Sequence, residues 1–477
     1  MYPLENDRAA DCEHSYDSII EALFSRHPSF QNVGKSAYKP GLDNMLIMDG
    51  LLGHPHRKYR CIHIAGTNGK GSVSNMIAAG LNAQGLKVGL FTSPHILDFR
   101  ERMRVIENGK HLLISKEEVL SFIQKWQDSF DHIGMSFFEI TTAMALDWFA
   151  KMEVDFAVIE CGLGGRLDST NIIQPVLSVI TNIGKDHCDL LGESLGEIAF
   201  EKAGIIKPLT PVVIGEGSEE IDAVFERKVL YTNLPEPSLG GDRNRIFDLL
   251  HRAEKQRAET EIFQQLQLGQ AAILAQCDLR GSYQKKNLQT ALCALDILKI
   301  FCDKEGLVKE DGQTLEESKE KIQNALIHTA EICGFHGRWE RVCEKPEIIC
   351  DIGHNSHGLV HNFESLKSLI EQGRKLFLIY GSASDKDVED SGLLLPKNCT
   401  LILTEASSQR AMKAGQILEK IGARDNCHII PEIAQAIDFA SASAQENDLI
   451  YIGGSTYVVS DAIKYFINQG IYRNFAD

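Results

Sequence analysis

Seven consecutive residues, Gly66-Thr-Asn-Gly-Lys-Gly-Ser72, carry the strongest chemical signal in the chain. Glycines lack a Cβ, so the backbone can take positive φ and come close to an anion. Lys70 can reach terminal phosphate oxygens from such a loop, and the Ser72 hydroxyl can face a magnesium ion. A β-branched run precedes the loop and a helical pattern follows it. Exposed amides and a helix dipole would then converge on the same anion. Gly66, Thr67, Asn68, Gly69, Lys70, Gly71 and Ser72 are therefore the expected phosphate cradle. The alternative is a glycine-rich turn with a surface lysine, which the strand–loop–helix setting disfavours.

Three further apolar, strand-like runs end on polar residues. Ser93 follows residues 87–91, Glu160 falls in 154–161, and Asp186-His187 follow 176–181. Ligands of open parallel sheets bind beyond the carboxyl ends of the strands. Ser93, Glu160 and His187, with Ser72 close by, offer hard donors that suit Mg²⁺ completed by water and phosphate. Singly, the glutamate reads as a solvated carboxylate and the histidine as a satisfied polar residue. Four consecutive strand ends make a metal site the better account. Lys202, on the next helix, reads alone as a helix-surface lysine. Asp351-Ile-Gly-His-Asn355 is another strand end, or simply a βα turn with an asparagine cap.

These residues need a scaffold that alternates strands and helices. Strands are expected at 59–65, 87–91, 154–161, 176–181 and 212–214, with helices after the glycine loop and at 115–130, 136–151 and 195–206. Residues 31–42 read as a loop. Arg100, Arg102 and Arg104 alternate with other residues, so in a strand they would share one face. Residues 303–314 read as a polar loop and 316–332 as a last helix before a hinge at 334–340. A second αβ series follows, with strands at 347–351, 376–380, 400–404, 428–430 and 449–452. Apolar strands alternating with helices imply parallel sheets covered on both faces. The expected fold is α/β with two doubly wound domains: an N-terminal P-loop ATPase domain, 1–333, with a surface excursion near 231–270, and a smaller C-terminal Rossmann-like domain, 334–477.

At 477 residues, 43% hydrophobic and 24% charged, the chain has the length of two or three domains and an ordinary globular composition. It shows neither an apolar run of membrane-spanning length nor a secretory signal at its start. Twelve cysteines without a C-x-x-C pair fit a reducing, cytoplasmic compartment and no cysteine-based zinc site. A formal charge of −17 argues against a general nucleic-acid binder.

Taken in order, the motifs resemble the folylpolyglutamate synthase and dihydrofolate synthase family of the muramyl-peptide ligase superfamily. The glycine loop, Thr92-Ser-Pro-His95, Phe99-Arg-Glu-Arg-Met-Arg-Val105 and Glu160-Cys-Gly-Leu-Gly-Gly-Arg-Leu-Asp168 carry the likeness in the first domain. Asp186-His187 and Glu201-Lys202 continue it. Gly337-Arg-Trp-Glu340, Asp351 with His354-Asn355, Asp385-Lys-Asp387 and Gly454-Ser455 carry it in the second. The resemblance implies an ADP-forming amide ligase. ATP phosphorylates a carboxylate of dihydropteroate or a folate, and L-glutamate attacks the acyl phosphate. It further implies two magnesium sites, with Ser93, Glu160 and His187 as ligands and Lys202 carbamylated beside them. Asn287 would contact adenine, and Arg338 and Asp351 the nucleotide. Phe138, Arg102, His354 and Ser455 would lie on the substrate side. Lys70, Glu160, His187, Lys202, Asp351 and His354 form the implied catalytic set. A bifunctional, monomeric enzyme with small-molecule substrates only, touching neither nucleic acid nor membrane, is expected.

Three positions depart from the family's spelling. The family commonly writes Asp-Gly-Ala-His-Asn where this chain has Asp351-Ile-Gly-His-Asn355. An arginine common in the early pterin-side loop is replaced in Gly41-Leu-Asp-Asn44, and Ser384 stands where a smaller residue is usual. Two competing functions are a muramyl-peptide ligase and a nucleotide-binding switch or scaffold. The former commonly carries a nucleotide-sugar domain before the phosphate loop, for which 65 residues are too few. The latter needs the loop but not the metal set.

Overall fold

The computed structural model describes residues 16, 18–23, 25–27, 39–234, 243–307, 314–384, 386 and 388–472. Two sheets organise them. The first contains β1 (Arg60–Ala65), β2 (Val88–Phe91), β3 (Met103–Glu107), β4 (Lys110–Leu113), β5 (Phe156–Glu160), β6 (Pro175–Ile180), β7 (Val212–Ile214) and β8 (Leu250–Arg252), in the order β4-β3-β2-β5-β1-β6-β7-β8. The second contains β9 (Glu340–Glu344), β10 (Glu347–Asp351), β11 (Leu376–Tyr380), β12 (Thr400–Glu405), β13 (Cys427–Glu432) and β14 (Leu449–Gly453), in the order β13-β12-β11-β14-β10-β9. Among the described strands the antiparallel pairs are β2–β3, β3–β4 and β9–β10.

β1, β2, β5 and β6 are apolar on both faces because both faces are covered. Helices Lys70–Asn82 and Gln284–Glu305 pack on one side, Lys116–Ile133 and Phe137–Lys151 on the other. The order β2-β5-β1-β6 makes the four expected site-bearing strands immediate neighbours, so their ends open on one place.

Several expectations are corrected. The three arginines do not share a strand face. Asp98 and Glu101 form a reciprocal capping box that winds Phe99–Arg102 into a 3₁₀ turn, and only Arg104 lies in β3. β3 and β4 form an unpredicted hairpin whose Asn108-Gly109 corner has φ of 53° and 74°, the left-handed pair that two-residue hairpin turns require. The 231–270 stretch is more than a surface excursion. β8 extends the sheet beside β7, and Ile246, Ile262 and Phe263 are buried. Residues 235–242 of that stretch lie outside the described residues, as do 31–38 of the early loop, 308–313 of the polar loop, Asp385 and Asp387. The helix expected at 316–332 is two, Leu315–Ile327 and Thr329–Cys333, divided at His328.

Residues 334–339 link the sheets, with left-handed φ at Gly334, Gly337 and Trp339. One contact crosses this link deeply. Ile96, on the loop after β2, is buried in the second sheet's core with Ile352 and Val459. Ser460 donates to its carbonyl at 2.6 Å, and a Cβ on Gly337 would lie 2.6 Å from its Cδ1. Gly337 is therefore glycine for two reasons, its φ of 73° and the seat it leaves for Ile96.

Candidate active site

The glycine loop leaves β1 and is braced against the end of β6. The Thr67 amide donates to the Asn182 carbonyl at 3.0 Å, and the Asn68 amide donates to Asn182 Oδ1 at 2.9 Å. The Thr181 hydroxyl donates to the Asn68 carbonyl at 2.6 Å. Gly66 and Gly69 have φ of 152° and 81°. A Cβ on Gly66 would stand 1.8 Å from Thr181 Oγ1, and one on Gly69 2.3 Å from Asn287 Oδ1. Gly69 caps helix Lys70–Asn82 without any side-chain hydrogen bond, leaving its first-turn amides suited to an anion. The Lys70 ammonium donates to the Gly66 and Thr67 carbonyls at 3.1 and 3.2 Å. Ser72 is buried in the first turn and accepts from Gln284 at 3.3 Å.

Glu160 closes β5 with 3% exposure, and its Oε2 accepts the Ser93 amide at 3.3 Å. Burial pushes its carboxyl upward, opposed by Lys70 and Arg338. His187 follows β6 with φ of 52° beside Asp186, and burial lowers its imidazole to about 4, leaving the neutral form that binds metals. Among the described residues no three His, Cys, Asp or Glu side chains converge into a metal cage. Ser93 borders one space with the neutral His187 imidazole and another with the buried Glu160 carboxylate, a donor set whose chemistry fits a hard cation that completes its shell with phosphate and water. Lys202 is 3% exposed and donates to the Gly66 carbonyl at 2.9 Å. Burial, then Lys70, brings its ammonium down to about 7.

Across the cleft stand the strand ends of the second sheet. Asp351 accepts four hydrogen bonds: Tyr283 Oη at 2.7 Å, the Trp339 amide at 2.8 Å, and the Gly353 amide and Asn362 Nδ2 at 2.7 Å each. Its carboxylate braces the link between the sheets, so a nucleotide contact there has to displace one of these donors. The Arg338 guanidinium lies over Phe335 at 5.3 Å and comes within 3.8 Å of where a Gly71 Cβ would be. His354 Nδ1 lies 3.0 Å from the Ile352 carbonyl and its Nε2 4.0 Å from Asp186; burial and Lys386 lower it to about 4. Ser455 caps helix Thr456–Asn468.

A cavity of about 290 Å³ lies between the two sheets, lined by Lys70, Ser93, Phe138, His187, Lys202 and Ser455 among others. Arg102 and His354 line it as well. Arg102 is buried over Phe137 at 5.3 Å, its Nε donating to His95 at 2.9 Å, and burial lowers it to about 10. The Phe138 ring packs on Gly162, where a Cβ would come within 2.5 Å. A smaller gap of about 20 Å³ touches Glu160, Gly71 and Arg338, and Ser93 lines both spaces. Ser72, Asn287 and Asp351 stand behind these walls. Asn287 is pressed against the glycine loop and donates to Gln284 at 2.8 Å.

Three residues quoted for their motifs but given no role turn out to join the two sides. Asp186 accepts from Lys386 Nζ and Asn355 Nδ2, each at 3.0 Å. Burial alone would raise its carboxyl, but His187, Lys386 and His354 hold it well below the usual carboxylate range. An acid beside an expected ligand was the available signal. Its partners lie 169 and 200 residues away, beyond any local pattern.

Known proteins share this architecture. The Mur ligase middle domain matches residues 64–295, and the Mur ligase, glutamate ligase domain matches 337–456. The dihydrofolate synthase/folylpolyglutamate synthase of Bacillus subtilis is 33% identical over 448 residues, covering 90% of this chain and 96% of its own. Escherichia coli FolC, solved in complex with DHPP and ADP, superposes with a TM-score of 0.72 at 25% identity, covering 95% of this chain and 98% of that one. A bifunctional folylpolyglutamate synthase/dihydrofolate synthase with Mn, AMPPNP and L-glutamate bound gives 0.69 at 25%, covering 90% and 95%.

Proposed function

The chain belongs to the folylpolyglutamate synthase/dihydrofolate synthase family, and from that premise we propose that it joins L-glutamate to dihydropteroate and to reduced folates at the expense of ATP. ATP passes its γ-phosphoryl group to the substrate carboxylate, giving ADP and an acyl phosphate. The amine of glutamate, having lost a proton, attacks the acyl carbon and phosphate leaves. The observation that carries this function is the cavity of about 290 Å³ between a phosphate loop on one sheet and the strand ends of the other. Two substrates can meet there away from water.

Each part of the site then has a task. The loop amides and Lys70, released from the Gly66 and Thr67 carbonyls, hold the β- and γ-phosphates. Ser93, Glu160 and His187 would hold magnesium, with Ser72 close by, and the ion supplies charge neutralisation at the transferring phosphoryl group. Asn287 and Arg338 flank the nucleotide. Phe138 offers a flat apolar wall suited to a pteroate ring, and Arg102 a buried cation for its carboxylate side. His354 and Ser455 face the incoming glutamate. Residues 1–333 and 334–477 act as the two domains that close on these substrates. Among the described residues no helix is long and apolar enough to cross a membrane.

Coupled ADP-release assays with dihydropteroate or tetrahydrofolate, each with and without L-glutamate, test the assignment. ADP formation that requires glutamate and either acceptor is expected. Turnover with tetrahydrofolate alone would reduce the activity to polyglutamylation. ATP turnover indifferent to both acceptors would favour a nucleotide switch.

A further inference from the structure

We propose that Asn355 is a positioning residue for the phosphate loop, fastening Asn68 from the opposite sheet so that nucleotide is bound well only when the second sheet is seated. The proposal rests on the ligase function above and adds a residue that the reaction scheme does not use.

Asn355 ends the turn after β10 and caps helix Ser356–Glu371, its Oδ1 accepting the Gly358 amide at 2.8 Å. That cap fixes which way the side-chain amide faces, because only the oxygen can accept from a helix N–H. Nδ2 must then point outward, where it donates to Asn68 Oδ1 and to Asp186 Oδ2, both at 3.0 Å. Asn68 answers by donating from Nδ2 to Asn355 Oδ1 at 3.3 Å. The result is a two-way amide pair between residues 287 apart in sequence. His357 adds a ring nitrogen 3.0 Å from the same Asn68 Nδ2. Asn355 is 8% exposed, so water replaces few of these bonds.

The other half of Asn68 belongs to the first sheet. Its amide is held by Asn182 and its carbonyl by Thr181, and the next residue is the left-handed Gly69 from which the loop's helix starts. Asn68 is thus gripped by backbone on one side of the cleft and by side chain on the other. Any displacement of the second sheet pulls directly on the peptide that begins the phosphate-binding turn. Only a side chain with both a donor and an acceptor can make the reciprocal pair. An aspartate at 355 would lose the donor and set a second carboxylate against Asp186.

A plain helix-cap role for Asn355 has to be separated from this one. Asn355→Ser keeps a good cap but is too short to reach Asn68. Asn68→Ala breaks the same pair without touching the cap. Binding of ADP with Mg²⁺ is measured by calorimetry for wild type, both variants and the double variant, alongside thermal unfolding and KM for ATP. Each single variant is expected to bind nucleotide about 10-fold more weakly, the scale of losing one or two such hydrogen bonds, with Tm nearly unchanged. The double variant should be no weaker than about 2-fold beyond either single, because both remove one pair. Nucleotide binding by Asn355→Ser equal to wild type overturns the proposal, as does a double variant weakened by the product of the two effects. If Asn355→Ser fails to fold, Asn355→Thr, which also keeps a cap and is too short to reach Asn68, decides by the same 10-fold criterion. Wild-type protein that binds no nucleotide sinks the ligase function itself, and the coupling with it.

Discussion

Lys202 donates its ammonium to the carbonyl of Gly66 at 2.9 Å, so helix Leu195–Lys202 holds the first glycine of the phosphate loop. The lysine looks surface-exposed in the sequence and is 3% exposed in the fold. Its ammonium, lowered to about 7 by burial and Lys70, is a substantially neutral amine near neutral pH.

A neutral amine adds CO₂ to give a carbamate and release a proton. Protein equilibrated with ¹³C-bicarbonate is expected to show one carbamate carbon resonance that Lys202→Met lacks. That variant should lose roughly 100-fold or more in ADP release, the scale for removing a charge-positioning group at a transferring phosphoryl. Unchanged turnover would remove Lys202 from the site.

Glu160→Gln keeps the shape of the side chain and removes the charge that a cation needs. Amide formation should fall by at least about 100-fold. Tm should hold or rise slightly, because burial already disfavours the carboxylate. Chelation should stop ADP release by the wild type, and magnesium should restore it.

Gly69→Ala tests the loop geometry. Its φ of 81° and a Cβ site 2.3 Å from Asn287 Oδ1 predict a local cost of about 1–3 kcal/mol and roughly 10-fold weaker nucleotide binding. Gly85→Ala is the control. It has the same handedness at φ of 84° but nothing within 4 Å, so it should lower Tm and leave nucleotide affinity alone.

Buried histidines set the acid limit. His63 is lowered to about 3, and His187 and His354 to about 4, by burial in each case. Between those values and the ordinary 6.5 the unfolded chain binds more protons than the folded one, so stability falls as pH drops through that window. Each group contributes at most about 1.4 kcal/mol per pH unit. Urea midpoints measured from pH 7 to 4 should decline, and His63→Gln should decline less steeply.

The sequence discloses the parts of this molecule that rest on local pattern. β1, β2, β5 and β6 are largely apolar because both faces are covered, and their ends can be named with Ser93, Glu160 and His187 in place. The arginine triplet misleads because its alternation has the period of a strand, whereas the Asp98–Glu101 capping box winds the backbone into a 3₁₀ turn. The hairpin at Asn108-Gly109 is written in the sequence as the Asn-Gly pair that two-residue turns favour. β8 is a three-residue edge strand in which little periodicity can accumulate, and β9 is an edge strand with one buried residue in five. What no local pattern could supply is the joining of distant residues: Asp186 to Lys386, Asp351 to Tyr283, Asn68 to Asn355.

Ile96 belongs to the first half by sequence and to the second by packing. The loop that presents Ser93 to the cleft is rooted, three residues later, in the hydrophobic interior of the other half, in the seat left by Gly337. The two halves are consequently not interchangeable modules. A chimaera that grafts a relative's second half onto residues 1–333 must also bring a matching socket. Without one, an isoleucine is stranded in water and the serine ahead of it loses its anchor.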